Sequence, residues 1–192
     1  ARHKALLISP YFVPGNEGLD GFSAMAGRGV QVGVVTNSLA ANDVAAVHGG
    51  YMGYRVPLLE AGVHLYELKA QGQSGDAGVF GSSGASLHTK AFLIDDRRGF
   101  VGSFNLDPRS AYLNTEMGVL FDDPVLGTQL RDEYLRLADP RHSWWLALDD
   151  RRRLRWLERE PPPHWVEAEP GATARKRWLS RVISWLPVES QL

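Results

Sequence analysis

The 192 residues include no cysteine. Disulfides, thiolate nucleophiles and zinc sites built on cysteine are therefore excluded together. Charge of one sign is also lacking: 21 Lys and Arg against 22 Asp and Glu leave a net −1. That balance argues against a protein that coats nucleic acid by bulk electrostatics, and nucleic acid is not an expected partner. No run reaches the ~18 apolar residues that a bilayer span requires. There is no initiator Met, and the chain enters a strand-like run just after Arg2-His3-Lys4. We expect a piece of a longer polypeptide, with any signal or membrane-spanning segment lying outside it.

What charge there is lies unevenly. Residues 1–140 hold 11 Lys and Arg against 15 Asp and Glu, whereas residues 141–192 hold 10 against 7. A basic end following an acidic body points to an anionic surface as partner. Along the body, apolar and β-branched runs at Lys4–Val13, Val30–Thr36 and Val63–Leu68 alternate with helical patterns. One helix carries Leu19, Phe22 and Met25, a short one is capped by Asn42-Asp43, and a third spans Tyr51–Ala61. This order predicts an α/β fold whose central sheet, mostly parallel or mixed, is flanked by helices. A Gly- and Ser-rich connector at 72–86 leads to a strand over Leu87–Ile94, a turn at Asp95–Gly99 and a returning strand over Phe100–Phe104. A further strand covers Glu116–Phe121, and Asp123-Pro124 opens a helix lined by Leu126, Leu130, Tyr134 and Leu137.

Chemistry concentrates in His88-Thr89-Lys90 and Gly102-Ser103-Phe104-Asn105. Residues two apart on a strand share a face, so His88 pairs with Lys90 and Ser103 with Asn105. The turn then brings an imidazole, an ammonium, a hydroxyl and an amide to one sheet edge. Neutral imidazole serves as nucleophile or proton shuttle near pH 7. A cation and an amide donor can hold phosphate oxygens as charge builds on them. Asp95 is an odd number of residues from both His88 and Lys90, so it points to the other face and is read as structural, capping the turn or pairing with a nearby Arg.

Written out, the pattern is H-x-K-x4-D-x6-G-S-x-N, filled by His88, Lys90, Asp95, Gly102, Ser103 and Asn105. It resembles the motif of the phospholipase D superfamily. Within that superfamily, the runs Ile8–Pro14, Thr36–Leu39, Leu59–Val63 and Ser103–Ser110 are most similar to bacterial cardiolipin synthases. The resemblance implies a catalytic half-domain over 1–140, with a phosphohistidine intermediate and no metal or other cofactor. His88 would act at phosphorus or on the leaving group, Lys90 and Asn105 would bind phosphate oxygens, and Ser103 would support them. Asp95 and Gly102 complete the motif structurally, and Glu116, in Asn114-Thr115-Glu116, would orient His88. The family builds its site from two such motifs, so the resemblance also implies a second half, from the same polypeptide or another copy. The expected reaction is phosphatidyl transfer making cardiolipin on anionic phospholipid, at the cytoplasmic face of a bacterial inner membrane. A hydrolytic phosphodiesterase and a non-catalytic membrane-docking half are the rival readings.

The remaining segment, 141–192, reads as a C-terminal extension. Trp144–Leu148 and Arg153–Glu158 fit a hairpin, a basic helix being the competing reading, while Pro161-Pro162-Pro163 fits a linker and 173–186 a basic amphipathic helix. Arg175, Lys176, Arg177, Trp178, Arg181 and Trp185 are its candidate membrane-binding residues, packing on its own domain being the alternative. His48 could line the pocket or lie at the surface, and His3, His64, His142 and His164 are read as structural.

Overall fold

A computed structural model of the chain describes residues 1–42, 44–70 and 87–185. The connector at 72–86 and Asp43 of the expected helix cap lie outside those residues. Three apolar runs become β1 (Lys4–Ile8), β2 (Gln31–Asn37) and β3 (His64–Leu68), joined by α1 (Gly15–Gly27) and α2 (Ala45–Glu60). The three strands pair in parallel. On the β1 side follow β4 (Lys90–Ile94), β5 (Arg98–Gly102) and β6 (Gly118–Asp122), with α3 (Pro108–Tyr112) between the last two. On the β3 side follow β7 (Ser143–Leu148), β8 (Leu154–Glu158) and β9 (His164–Val166). All belong to one sheet of order β6-β5-β4-β1-β2-β3-β7-β8-β9.

The sheet is mixed, and parallel pairing is confined to its centre. The neighbours β1, β2 and β3 are linked in turn by α1 and α2, each long enough to return the chain to the starting edge. The three residues between β4 and β5 permit only an antiparallel return. The hairpin expected around Asp149-Asp150 forms as β7 and β8, and β7 pairs with β3, so the 141–166 stretch extends the same sheet. The three prolines occupy the short passage between β8 and β9.

Helices cover both faces. Val32, Val34, Leu65 and Leu146 pack with Phe22, Tyr51 and Leu58 of α1 and α2. On the other face Leu6, Ile8, Val35 and Leu93 pack with Tyr134 and Leu137 of α4 (Pro124–Leu137). The Asp123 carboxylate caps α4, accepting from the backbone N–H groups of Val125 and Leu126 at 2.8 Å, with Pro124 at the first helical position. Where the sequence suggested two helices across 42–61, α2 is continuous. Its Gly49-Gly50 pair, which reads as a break, is held by the neighbouring α5 (Ala174–Ser184), so packing overrides propensity.

One buried charge cluster ties these layers together. The Arg55 guanidinium of α2 bonds Glu67 of β3 at 3.2 Å and Glu169 at 2.7 Å, and Trp156 of β8 donates its indole N–H to Glu67 at 2.8 Å. His48 lies fully buried beside it, Nε2 3.5 Å from Glu169, which corrects both the pocket and the surface readings of that residue.

Candidate active site

The site lies where β1 and β2 end, at the carboxyl edge of the parallel strands, the customary place for ligands on such sheets. Three contacts bring the motif there. The Ser9 hydroxyl, just past β1, donates to the Tyr11 carbonyl and accepts from the Leu106 N–H at 3.0 Å. The Val13 N–H in turn donates to the Leu106 carbonyl at 2.7 Å, fixing the segment that follows Asn105. The third clamp is Asn37 at the end of β2. Its Oδ1 accepts from the Leu87 N–H at 3.0 Å, and its Nδ2 donates to the Leu87 and Pro10 carbonyls at 3.4 Å. Leu87 immediately precedes His88, so this amide positions the histidine from a strand two places away. Nothing local marks Ser9 or Asn37 as site residues; their partners are 97 and 50 residues distant.

Lys90 opens β4 and is buried, opposite Gly102 in register. Its Nζ donates to the His88 carbonyl at 2.8 Å, so the ammonium turns back along the chain toward the histidine. His88 precedes β4 and is exposed, so the expected strand over 87–94 begins three residues late. β1 ends at Ile8, opposite Ala91, and leaves residues 87–89 no ladder to join. Ser103 and Asn105 likewise lie past the end of β5 instead of on it, and it is the β6 connection that holds Ser103. The Ser103 N–H donates to the Met117 carbonyl at 2.8 Å, and its hydroxyl accepts from the Met117 N–H at 3.0 Å. The same hydroxyl donates to Glu116 Oε2 at 2.5 Å.

Glu116 therefore serves Ser103. Its second oxygen accepts from Asn114 Nδ2 at 3.2 Å. The Ser103 hydroxyl chiefly holds the Glu116 carboxyl below its ordinary value, with Asn114 and the Lys90 charge helping against slight desolvation. Asn105 has its Oδ1 buried without a protein partner. Gly102 is required by closeness alone: a Cβ there would sit 2.4 Å from the Met117 carbonyl and 2.7 Å from the Gly118 Cα.

Asp95 takes the structural place its parity predicted, with a firmer job than turn capping. Its carboxylate accepts from the backbone N–H groups of Arg2, His3 and Lys4 at 2.8–2.9 Å, pinning the start of β1 to the β4–β5 turn. Desolvation pulls its pKa up, but these donors overcome it and bring it down to about 2.

Beside Lys90 and Gly102 opens a groove of about 730 Å³, walled by Val101, Val119, Phe121, Leu126 and Leu130. The buried Lys90 thus borders an apolar trough. Among the described residues no group of three or more His, Asp or Glu is placed to hold a metal, and no helix is long and apolar enough to cross a membrane.

Residues 1–138 match the family model described as "Cardiolipin synthase, PLD-like domain". Cardiolipin synthase C of Escherichia coli is 44% identical over 188 residues, covering 95% of this chain and 40% of that protein. Cardiolipin synthase A of Yersinia pseudotuberculosis is 32% identical over 138 residues, 70% of this chain and 25% of that protein. The chain thus spans less than half the length of these relatives. Among solved structures, the phospholipase D family member Nuc from Salmonella typhimurium aligns with a TM-score of 0.57 at 16% identity, covering 74% of this chain and 81% of Nuc. Phosphatidylserine synthase from Haemophilus influenzae aligns at 0.52 and 16%, covering 71% of this chain and 33% of that one. These two likenesses are of fold. The sequence matches go further: this chain belongs to the phospholipase D-like family of the cardiolipin synthases.

Proposed function

We propose that the chain is one catalytic half of a phosphatidyltransferase that makes cardiolipin from phosphatidylglycerol and a second phospholipid. The observation that carries this reading is the continuity of the Lys90 corner with the apolar groove. A phosphodiester that also has hydrocarbon to bury fits both parts, and nucleic acid uses only the first. In the proposed reaction an imidazole nitrogen attacks phosphorus, the P–N bond forms, and the P–O bond to the donor's alcohol breaks. That alcohol leaves with a proton from a general acid. The hydroxyl of phosphatidylglycerol then attacks phosphorus, gives up its proton to a base, and the P–N bond breaks. Lys90 and Asn105 hold the non-bridging oxygens through both steps, and Ser103, fixed by Glu116, supports them.

One imidazole cannot both attack and protonate the group leaving on the opposite side. The second belongs to another half, in the same polypeptide or a second copy. The β6 edge supports such packing: Met117, Val119 and Leu120, with Tyr112 and Leu113 nearby, are large apolar side chains left exposed beside Glu116. We place the assembled enzyme peripherally on the cytoplasmic face of a bacterial inner membrane. Hydrolysis is the second reading, favoured by the exposure of His88, which admits water to the site.

The test supplies phosphatidylglycerol vesicles to a protein containing both halves and follows cardiolipin and phosphatidic acid together. His88→Ala should abolish cardiolipin formation, and Lys90→Ala should lower it by about 10²–10³. Phosphatidic acid as sole product assigns hydrolysis, and full transfer by His88→Ala refutes the site.

A further inference from the structure

The C-terminal helix divides the residues that the sequence grouped on one face. Ser180 of α5 is fully buried, and its carbonyl and the Ile183 side chain lie where a Cβ on Gly49 would be, 3.0 Å away. The two helices meet through this glycine at close range. Lys176, expected at a membrane, instead reaches inward, its Nζ donating to the carbonyls of Leu39, Ala40 and Asn42 at 3.0–3.4 Å. Arg177 also turns partly inward, with its Nε buried. On the opposite side stand Trp178, 66% exposed, and Trp185, 87% exposed, with Leu179 and Val182 along the same ridge. Arg175 and Arg181 are exposed at its margins.

We propose that this outer ridge of α5 docks the chain on an anionic phospholipid bilayer. The helix would lie along the interface with Trp178, Val182 and Trp185 among the headgroups and upper acyl chains, and with Arg175 and Arg181 against phosphate. Exposed tryptophan is costly in water and well placed at a wet apolar boundary. Residues 170–188 carry four basic side chains and no acidic one, so the charge suits an anionic surface. A second copy stacked ridge to ridge would set these arginines against each other.

The carbonyls held by Lys176 lie in the segment directly after Asn37, the residue that clamps Leu87 beside His88. Lys176 thus ties the docking helix to the segment that follows the clamp on Leu87. This inference rests on the helix alone and holds whichever reaction the site runs.

Co-sedimentation of the full chain with phosphatidylglycerol vesicles and with phosphatidylcholine vesicles tests it, with thermal unfolding as the fold control. The chain should prefer phosphatidylglycerol, and high salt should erode the preference. Each interfacial arginine is worth about fivefold in binding, so R175Q/R181Q should bind phosphatidylglycerol vesicles about thirtyfold more weakly. W178S/W185S should bind at least about tenfold more weakly to both lipids. Equal binding to the two vesicle types, or unchanged binding by either variant, overturns the proposal. A solution dimer that W178S/W185S dissociates, with vesicle binding intact, overturns it in favour of self-association.

Discussion

Replacing Arg55 with Met should destabilise the domain by about 3–5 kcal/mol, because it leaves two buried carboxylates without their cation. Arg55 is 3% exposed, and its two Nη groups reach Glu67 and Glu169 separately. The guanidinium also lies 5.4 Å from the Tyr51 ring centroid and 5.2 Å from that of Trp156, so stacking is lost with the charge. For a domain of this size each kcal/mol moves Tm by about 2–4 °C, which predicts a fall of about 6–20 °C. Burial pushes the Glu169 carboxyl up, but the Arg55 charge overrides it and holds the group at about 2. For Glu67 burial wins, and its carboxyl sits above the ordinary range despite Arg55. Removing the guanidinium should raise both. A carboxyl whose folded pKa is raised above its unfolded value supports folding at low pH, and that support is lost as pH climbs. The deficit of Arg55→Met should therefore widen from about pH 4.5 to pH 7. Arg55→Lys should fall between, since one ammonium cannot reproduce two separated donors. Thermal unfolding by circular dichroism at both pH values measures all of this. A Tm within about 2 °C of wild type, or a deficit that narrows toward neutral pH, refutes the reasoning.

Two further outcomes follow from the site. Asp95→Ala removes the acceptor of three backbone N–H groups, costing about 1 kcal/mol after solvent screening. Because the folded pKa of Asp95 is depressed to about 2, its contribution is present above about pH 4 and fades toward pH 2. Urea unfolding should show the variant weaker at pH 7 and matched to wild type near pH 2, and a deficit that persists undiminished there would contradict this. Chelation with EDTA should leave transfer by the two-half enzyme unchanged, since the described residues offer no ligand cluster near His88. Activity lost on chelation and restored by a divalent ion would count against the histidine mechanism.

The chemistry of this chain was more legible than its geometry, and the reason is range. His88, Lys90, Gly102, Ser103 and Asn105 lie within 18 residues of each other, so turn and strand periodicity bring them together without knowledge of the rest. The same periodicity misjudged where the strands stop. A strand ends when its neighbour does, and β4 loses β1 at Ile8, far away in sequence. The helix cap at Asp123 could be read directly, because a cap acts within three residues. Nothing comparable announces Arg55, whose partners are 12 and 114 residues away. An isolated arginine in a helical pattern reads as a surface charge until the fold buries it.

The same limit explains the histidine and glutamate assignments. A sequence pattern says which groups belong together at an edge, but bonds within the group depend on sub-ångström placement. Glu116 was expected to orient His88; among the described residues its carboxylate bonds Ser103, one register step away across the β5–β6 ladder. Among the described residues no acceptor is bonded to the His88 ring. In a triad-like arrangement an unoriented imidazole samples both tautomers and many rotamers, and the productive fraction falls accordingly. On the proposed two-half reading, the docked second half would therefore have to supply an orienting group for His88 as well as the general acid for the leaving alcohol.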